Sequence, residues 1–183
     1  MQFDTARLRI DALRRQDAEA LFACRGDSAV ARFQGWRPAD MTAARAFILA
    51  QAAASQDVPV GWFQRAIRRR EDARLIGDLG LRLPPALEDS VEFGISIAPA
   101  HQGQGYASEA LRAAFAQVFG VLGRRRIHAS VDPRNLASVT MLRALGMRQE
   151  AHHRASLWLH DEWVDDVVFA LLASEWSAMQ AGH

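Results

Sequence analysis

The chain contains no lysine. Its 22 basic residues other than histidine are all arginine, and with 21 acids they leave a formal net charge of only +1 over 183 residues. That absence excludes a Walker-type phosphate loop, a Schiff-base lysine and a lysine general base. Arginine does not take over those roles, because it keeps its proton. The even charge balance argues against a dedicated nucleic-acid binder, which carries a basic excess on one face. A single cysteine, Cys24, excludes intramolecular disulfides and Cys-based zinc sites. No apolar run follows the start MQFDTARLRI, so neither a signal peptide nor a membrane span is expected. The expectation is a soluble, cytoplasmic protein in a reducing compartment.

What is present suits one well-filled domain over 1–183, since half of the residues are hydrophobic and the length lies within the usual range of roughly 100–200 residues. Arg7 to Ile10 alternates like a short strand, and Leu13, Ala20, Leu21 and Cys24 recur at helical spacing up to Gly26 and Asp27. A second helix is expected from Met41 to Ser55, capped by Thr42. WFQRAIR, the polar turn RRREDA and RLIGDLGLRL read as a β-hairpin stopped by Pro84 and Pro85, with Arg68-Arg69-Arg70 in a solvated turn. The strand Val91 to Ala98 places Glu92, Gly94 and Ser96 on one face and Val91, Phe93, Ile95 and Ile97 on the other. A helix from about Ser108 to Phe119, a strand from Arg126 to Val131, a helix closed by Gly146 and two long strands complete the order. Trp158, Trp163 and Trp176 are assigned to the packing of those last strands.

Two places carry chemistry. Gln102-Gly103-Gln104-Gly105-Tyr106-Ala107 joins a strand to a helix, so successive backbone N–H groups can converge on an anion where the helix dipole is positive. Glycine permits the positive φ and the close approach this requires. An ordinary glycine-rich turn fits the loop alone equally well. Dinucleotide binding fits poorly, because Ser108 stands at the third glycine of G-x-G-x-x-G and no acid follows about 20 residues on. The second place is Asn135, the only asparagine, which begins the next helix but one and by itself reads as an N-cap.

Taken in order, R-L-x-I, IGDLGL, VEFGI, QGQGYASEAL and N-x-x-S followed by LGM resemble the GNAT superfamily of N-acetyltransferases, and within it the Rim-type enzymes that acetylate ribosomal-protein N-termini. The family motif Q/R-x-x-G-x-G/A is filled by Gln102, Gly105 and Ala107. The resemblance implies an α/β fold: a mixed, mostly antiparallel twisted sheet of about seven strands flanked by helices. It implies acetyl-CoA as co-substrate, no metal, and an amine acceptor that is a protein N-terminus or a small molecule. It also implies a monomer or homodimer. Gln102 through Ala107 would cradle the CoA pyrophosphate, the backbone of Ile95, Ser96 and Ile97 would pair with the pantetheine, and Asn135 and Ser138 would lie beside the pantetheine and its sulfur. Many members place a tyrosine acid seven residues after the Asn, and here that residue is Leu142. The proton for the leaving thiolate would then come from Ser138 or water.

The chemistry tolerates that loss, since a thiol resembling Cys has a pKa of about 8.5 and its thiolate leaves readily. Neutralising the acceptor amine is the harder demand: at pH 7 it costs about 1.4 kcal/mol for an α-amine and about 4.6 kcal/mol for a lysine amine. Glu92, on a strand face shared with small residues, is the candidate base, or else a carboxylate paired with an arginine. Trp36, in the loop between the first two helices, is a candidate wall of the acceptor pocket or a lid over the core. His152 and His153 point to opposite faces of a strand, so with His160 and Asp161 they make a poor metal set. Arg124-Arg125-Arg126 reads as solvated surface, with a CoA 3′-phosphate as the alternative. A non-catalytic acyl-CoA-binding sensor on the same fold is the competing function, motivated by Leu142.

Overall fold

The computed structural model describes residues 1–53, 61–83 and 89–182. Its strands are β1 (Phe3–Asp4), β2 (Leu8–Ala12), β3 (Trp62–Arg69), β4 (Leu75–Arg82), β5 (Ser90–Ile97), β6 (Arg126–Val131), β7 (Arg148–Leu159) and β8 (Glu162–Leu172). They form one eight-stranded sheet in the order β1-β2-β3-β4-β5-β6-β8-β7. The β5–β6 pair is parallel, whereas β1–β2, β2–β3, β3–β4, β6–β8 and β7–β8 are antiparallel. This is the expected mixed sheet, with the two-residue β1 as an addition too short to show a period. The helices are α1 (Ala18–Gly26), α2 (Ser28–Ala31), α3 (Met41–Ala53), α4 (Tyr106–Ala116), α5 (Leu136–Ala144) and α6 (Ala173–Ala181). No helix among the described residues is long and apolar enough to cross a membrane.

The chain divides into two compact units, Met1–Leu83 with Gly94–Ala113, and Pro84–Phe93 with Ala114–His183. In the first, Leu13, Ala18 and Leu21 pack with Ile48 of α3 and with Ala66 and Leu75 of the β3–β4 hairpin. Asp27 caps α2 by accepting from the Ala29 and Val30 N–H groups. The α3 cap is Asp40 rather than Thr42, its Oδ1 accepting from Ala43 N at 2.7 Å. A carboxylate one residue before the helix has the reach that a residue inside the first turn lacks. Ser55, Pro84 and Pro85 lie outside the described residues.

The arginine run is the main correction in this unit. β3 continues through Arg68 and Arg69, and Arg68 is only 2% exposed. Its Nε donates to Asp11 Oδ1 at 2.7 Å, while Nη1 and Nη2 donate to the two Asp17 oxygens at 2.6 and 2.7 Å. Nη2 also reaches the Ala12 carbonyl at 3.2 Å. A guanidinium this fully paired belongs inside, where an unpaired one would be prohibitive. A second buried pair joins Arg25 to Asp78 through Nε–Oδ1 at 3.0 Å and Nη2–Oδ2 at 2.5 Å.

Cys24 lies beside that pair. Burial, with the Asp78 carboxylate adding to it, pushes the thiol up to about 12, and Arg25 only partly opposes this. Reactivity follows the thiolate, so Cys24 is expected to resist iodoacetamide at pH 8 in the folded chain and to alkylate fully in denaturant. Rapid labelling of the native protein, read by mass spectrometry, would contradict this environment.

In the second unit, Phe115 of α4 meets Phe93 of β5 edge-on at 5.3 Å and Trp176 at 5.9 Å. Trp176 therefore sits on α6, not on a strand: LASEW continues the strand's apolar run into a helix. α5 ends in a Schellman arrangement, with Gly146 N donating to Arg143 O and Met147 N to Leu142 O, and Gly146 at φ +82°. The β7–β8 hairpin turns through His160 and Asp161, both at positive φ.

Candidate functional site

α4 begins at Tyr106, two residues earlier than its periodicity suggests, so the glycine loop leads directly into the helix N-terminus. Gly103 and Gly105 have φ of +72° and +79°, the left-handed region that side chains resist. Gln102 through Gly105 are exposed, and Tyr106 is buried. Both glutamine side chains are tied back onto preceding carbonyls. Gln102 Nε2 donates to Ile97 O at 2.8 Å, and Gln104 Nε2 donates to Ala100 O at 3.1 Å. Among the described residues, no backbone carbonyl takes the N–H of Gly103, Gln104 or Gly105. These donors, with the first N–H groups of α4, face solvent or a ligand.

The Arg7 guanidinium lies 4.4 Å from the Tyr106 ring centroid. His101 is lowered from its ordinary value first by desolvation and then by Arg69 and Arg74, with Asp72 opposing. Glu109, in the first turn of α4, is held below the usual carboxylate range: burial alone would raise it, but hydrogen bonds from Thr5 and from the Arg7 backbone and side chain prevail. Thr5, Arg7 and Glu109 were not signalled as a group by the sequence, because 102 or more positions separate Thr5 and Arg7 from Glu109.

On β5 the expected alternation holds from Val91 to Phe93 and then stops. Ile95 is half-buried, whereas Ser96 and Ile97 are both buried. A Cβ on Gly77 would collide with the Ser96 carbonyl, so the two backbones approach closely where glycine stands. Ser96 Oγ is buried without a hydrogen-bond partner among the described residues. The carbonyl of Ile97 is engaged by Gln102, and Ala98 N donates to Ile76 O at 2.8 Å.

The remaining candidates fall in the second unit, apart from Trp36. Glu92 is half-buried and lies in register with His128 of β6, on the same face of the parallel pair. Ser90 Oγ is 3.0 Å from His128 Nδ1. This serine and histidine are 38 positions apart, so no local spacing in the sequence joins them. Asn135 caps α5, its Oδ1 accepting from Ser138 N at 3.2 Å, so the two residues are brought together and the amide nitrogen remains as donor. Leu142 is 1% exposed on the core face of α5, where it can neither give nor take a proton.

Trp36 stacks on Phe47 of α3 at 4.2 Å. Arg25, whose Nη1 donates to Gln34 Oε1 at 3.1 Å, lies 5.7 Å from the Trp36 ring, so the loop is anchored to the buried Arg25–Asp78 pair. The histidines and Asp161 do not converge. His152 pairs with Asp165 at 2.7 Å, and no group of three potential metal ligands occurs among the described residues. Arg125 is 68% exposed beside Asp89, whereas Arg126 pairs with Glu150 at 2.7 Å.

Comparison with known proteins bears on this geometry. The family description "Acetyltransferase (GNAT) domain" matches residues 7–148. The uncharacterized N-acetyltransferase YoaA of Bacillus subtilis (strain 168) is 29% identical over 169 residues, 92% of this chain and 95% of that protein. The [ribosomal protein uS5]-alanine N-acetyltransferase of Escherichia coli (strain K12) is 33% identical over 85 residues, 46% of this chain and 44% of that protein. The spermidine N(1)-acetyltransferase of Vibrio cholerae is 30% identical over 108 residues, 58% of this chain and 62% of that protein. The crystal structure of a GNAT-family acetyltransferase from Bacillus anthracis shares the fold, with a TM-score of 0.84 at 24% identity over 96% of this chain and all of that one. An exposed glycine loop at the start of α4, in a mixed sheet of this order, is thus found within a family match spanning both compact units, and the chain belongs to the GNAT family as an N-acetyltransferase.

Proposed function

We propose that the chain, as one acetyltransferase domain, transfers the acetyl group of acetyl-CoA to a primary amine by direct attack in a ternary complex. GNAT acetyltransferases use acetyl-CoA as co-substrate. The observation that carries the reading is the exposed loop Gln102–Gly105, whose two glutamine side chains are tied back while the backbone N–H groups of Gly103, Gln104 and Gly105 stay open. The loop N–H groups hold the pyrophosphate, and the backbone of Ile95, Ser96 and Ile97 pairs with the pantetheine. Asn135 donates to the pantetheine through its amide nitrogen. Glu92 takes the proton from the attacking amine, and Ser138 or water protonates the departing thiolate. Most of the acceleration then comes from positioning.

The acceptor is a protein N-terminal α-amine or a small-molecule amine, the two kinds named by relatives of this chain. An α-amine asks least of Glu92, by about 3 kcal/mol relative to a lysine amine at neutral pH. Trp36 forms part of the acceptor wall. The single buried thiol suits work in the reducing cytoplasm.

Isothermal titration of the whole chain with acetyl-CoA tests the reading, followed by thiol release over a panel of peptides beginning with Ala or Ser, spermidine and an aminoglycoside. Binding with turnover on one class is expected. Absence of binding at a few hundred micromolar would reject it. Binding without turnover on any amine would favour the acyl-CoA sensor, which the buried Leu142 in place of a tyrosine acid makes the second reading.

A further inference from the structure

The direction of the loop's peptides is set by a residue outside the loop. Arg7 lies between β1 and β2; its Nη1 donates to the Gln104 carbonyl at 3.0 Å and its Nε donates to Glu109 Oε2 at 2.6 Å. Glu109 Oε1 in turn accepts from Thr5 Oγ1 at 2.5 Å and from the Arg7 backbone N–H at 2.9 Å. Arg70 Nη1 closes the assembly by donating to the Thr5 carbonyl at 2.9 Å. The peptide between Gln104 and Gly105 is planar and trans, so holding its carbonyl toward Arg7 turns the Gly105 N–H away from Arg7.

The electrostatics point the same way. Glu109 sits in the first turn of α4, where a carboxylate suits the helix dipole but opposes an anionic ligand. The Arg7 ion pair cancels that charge while leaving the guanidinium half exposed, at 48%. Arg7 Nη2 is 3.5 Å from the Cβ position of Gly105, so the cation stands against the glycine itself.

We propose that Arg7, held by Thr5 and Glu109, is a positioning residue for recognition of the pyrophosphate, orienting the Gln104–Gly105 peptide and neutralising Glu109. This rests on the reading of the loop given under Proposed function. The fork geometry is essential, because Nε and Nη1 act on two acceptors in different elements and an ammonium cannot reproduce that arrangement.

The test compares acetyl-CoA with S-acetylpantetheine, the thioester fragment without the pyrophosphate, on the whole chain. Acetyl-CoA binding is measured by titration calorimetry and S-acetylpantetheine binding by ligand-observed NMR. Arg7→Gln is expected to weaken acetyl-CoA by about tenfold or more, to leave S-acetylpantetheine within about twofold, and to melt within a few degrees of the unsubstituted chain. Arg7→Lys, a milder change that keeps the charge, is expected to recover less than half of the lost affinity on a logarithmic scale. Equal weakening of both ligands, an unchanged acetyl-CoA affinity, or full recovery by lysine would overturn the proposal. Failure of the unsubstituted chain to bind acetyl-CoA would instead overturn the reading on which it rests.

Discussion

Replacing Arg68 with Ala is expected to lower the free energy of unfolding by about 3–5 kcal/mol, a large share of the roughly 5–15 kcal/mol that stabilises a domain. The cost arises from what the substitution leaves behind. Asp11 and Asp17 are 2% and 4% exposed, and without Arg68 two carboxylates face each other inside the first unit. Asp11 keeps Arg14, which is half exposed, and Asp17 Oδ2 keeps the Arg14 N–H at 2.6 Å, so neither is stripped of every partner. Neither contact supplies a buried countercharge, and the Ala12 carbonyl loses its donor as well.

Urea unfolding followed by circular dichroism at pH 7.5 measures the effect. Arg68→Lys is expected to restore the smaller part, because one ammonium cannot span the three carboxylate oxygens that Nε, Nη1 and Nη2 reach. A loss of under 1 kcal/mol for Arg68→Ala would show that this triad is not a principal support of the β2–β3 region.

The second large effect is on binding. Gly105→Glu is expected to abolish detectable acetyl-CoA binding, a loss of at least about 100-fold. Two causes add. Gly105 sits at φ +79°, where an L-residue is strained by about 1–2 kcal/mol, so the loop relaxes away from its open form. The new carboxylate also stands where the pyrophosphate is proposed to lie, beside the charge of Glu109 that Arg7 already neutralises. The Cβ itself would meet only Arg7 Nη2 at 3.5 Å, an ordinary contact, so the chain should still fold. Calorimetry on Gly105→Gln separates the causes, since it shares the strain and lacks the charge. An unchanged affinity in the Glu variant would move the pyrophosphate elsewhere in the protein.

Legibility in the sequence follows the range over which each feature is determined. The strand Arg126–Val131, the helix closed by Gly146, the start of α3 at Met41 and the glycine loop all rest on local spacing or on the φ freedom of one residue, and each appears where the pattern places it. Boundaries set by tertiary contacts do not. Arg69 extends β3 because Leu8 of β2 pairs with it, and Ser96 is buried although strand alternation groups it with the half-buried Glu92 and Gly94. The arginine run misled for the same reason: three consecutive charges read as solvent-facing until two aspartates 51 and 57 positions away are brought to the first of them.

By itself the sequence settled the family and the order of its parts, and the lack of lysine excluded whole classes of chemistry before any coordinate was known. The tertiary structure alone decided where the arginines point. Arg7 braces the glycine loop, Arg25 anchors the Trp36 loop through Asp78, and Arg68 joins two buried carboxylates. The physical reason is that backbone preference is written within a few residues, whereas a fork of five N–H donors finds its acceptors only when strand register and helix packing bring them within 3 Å or so.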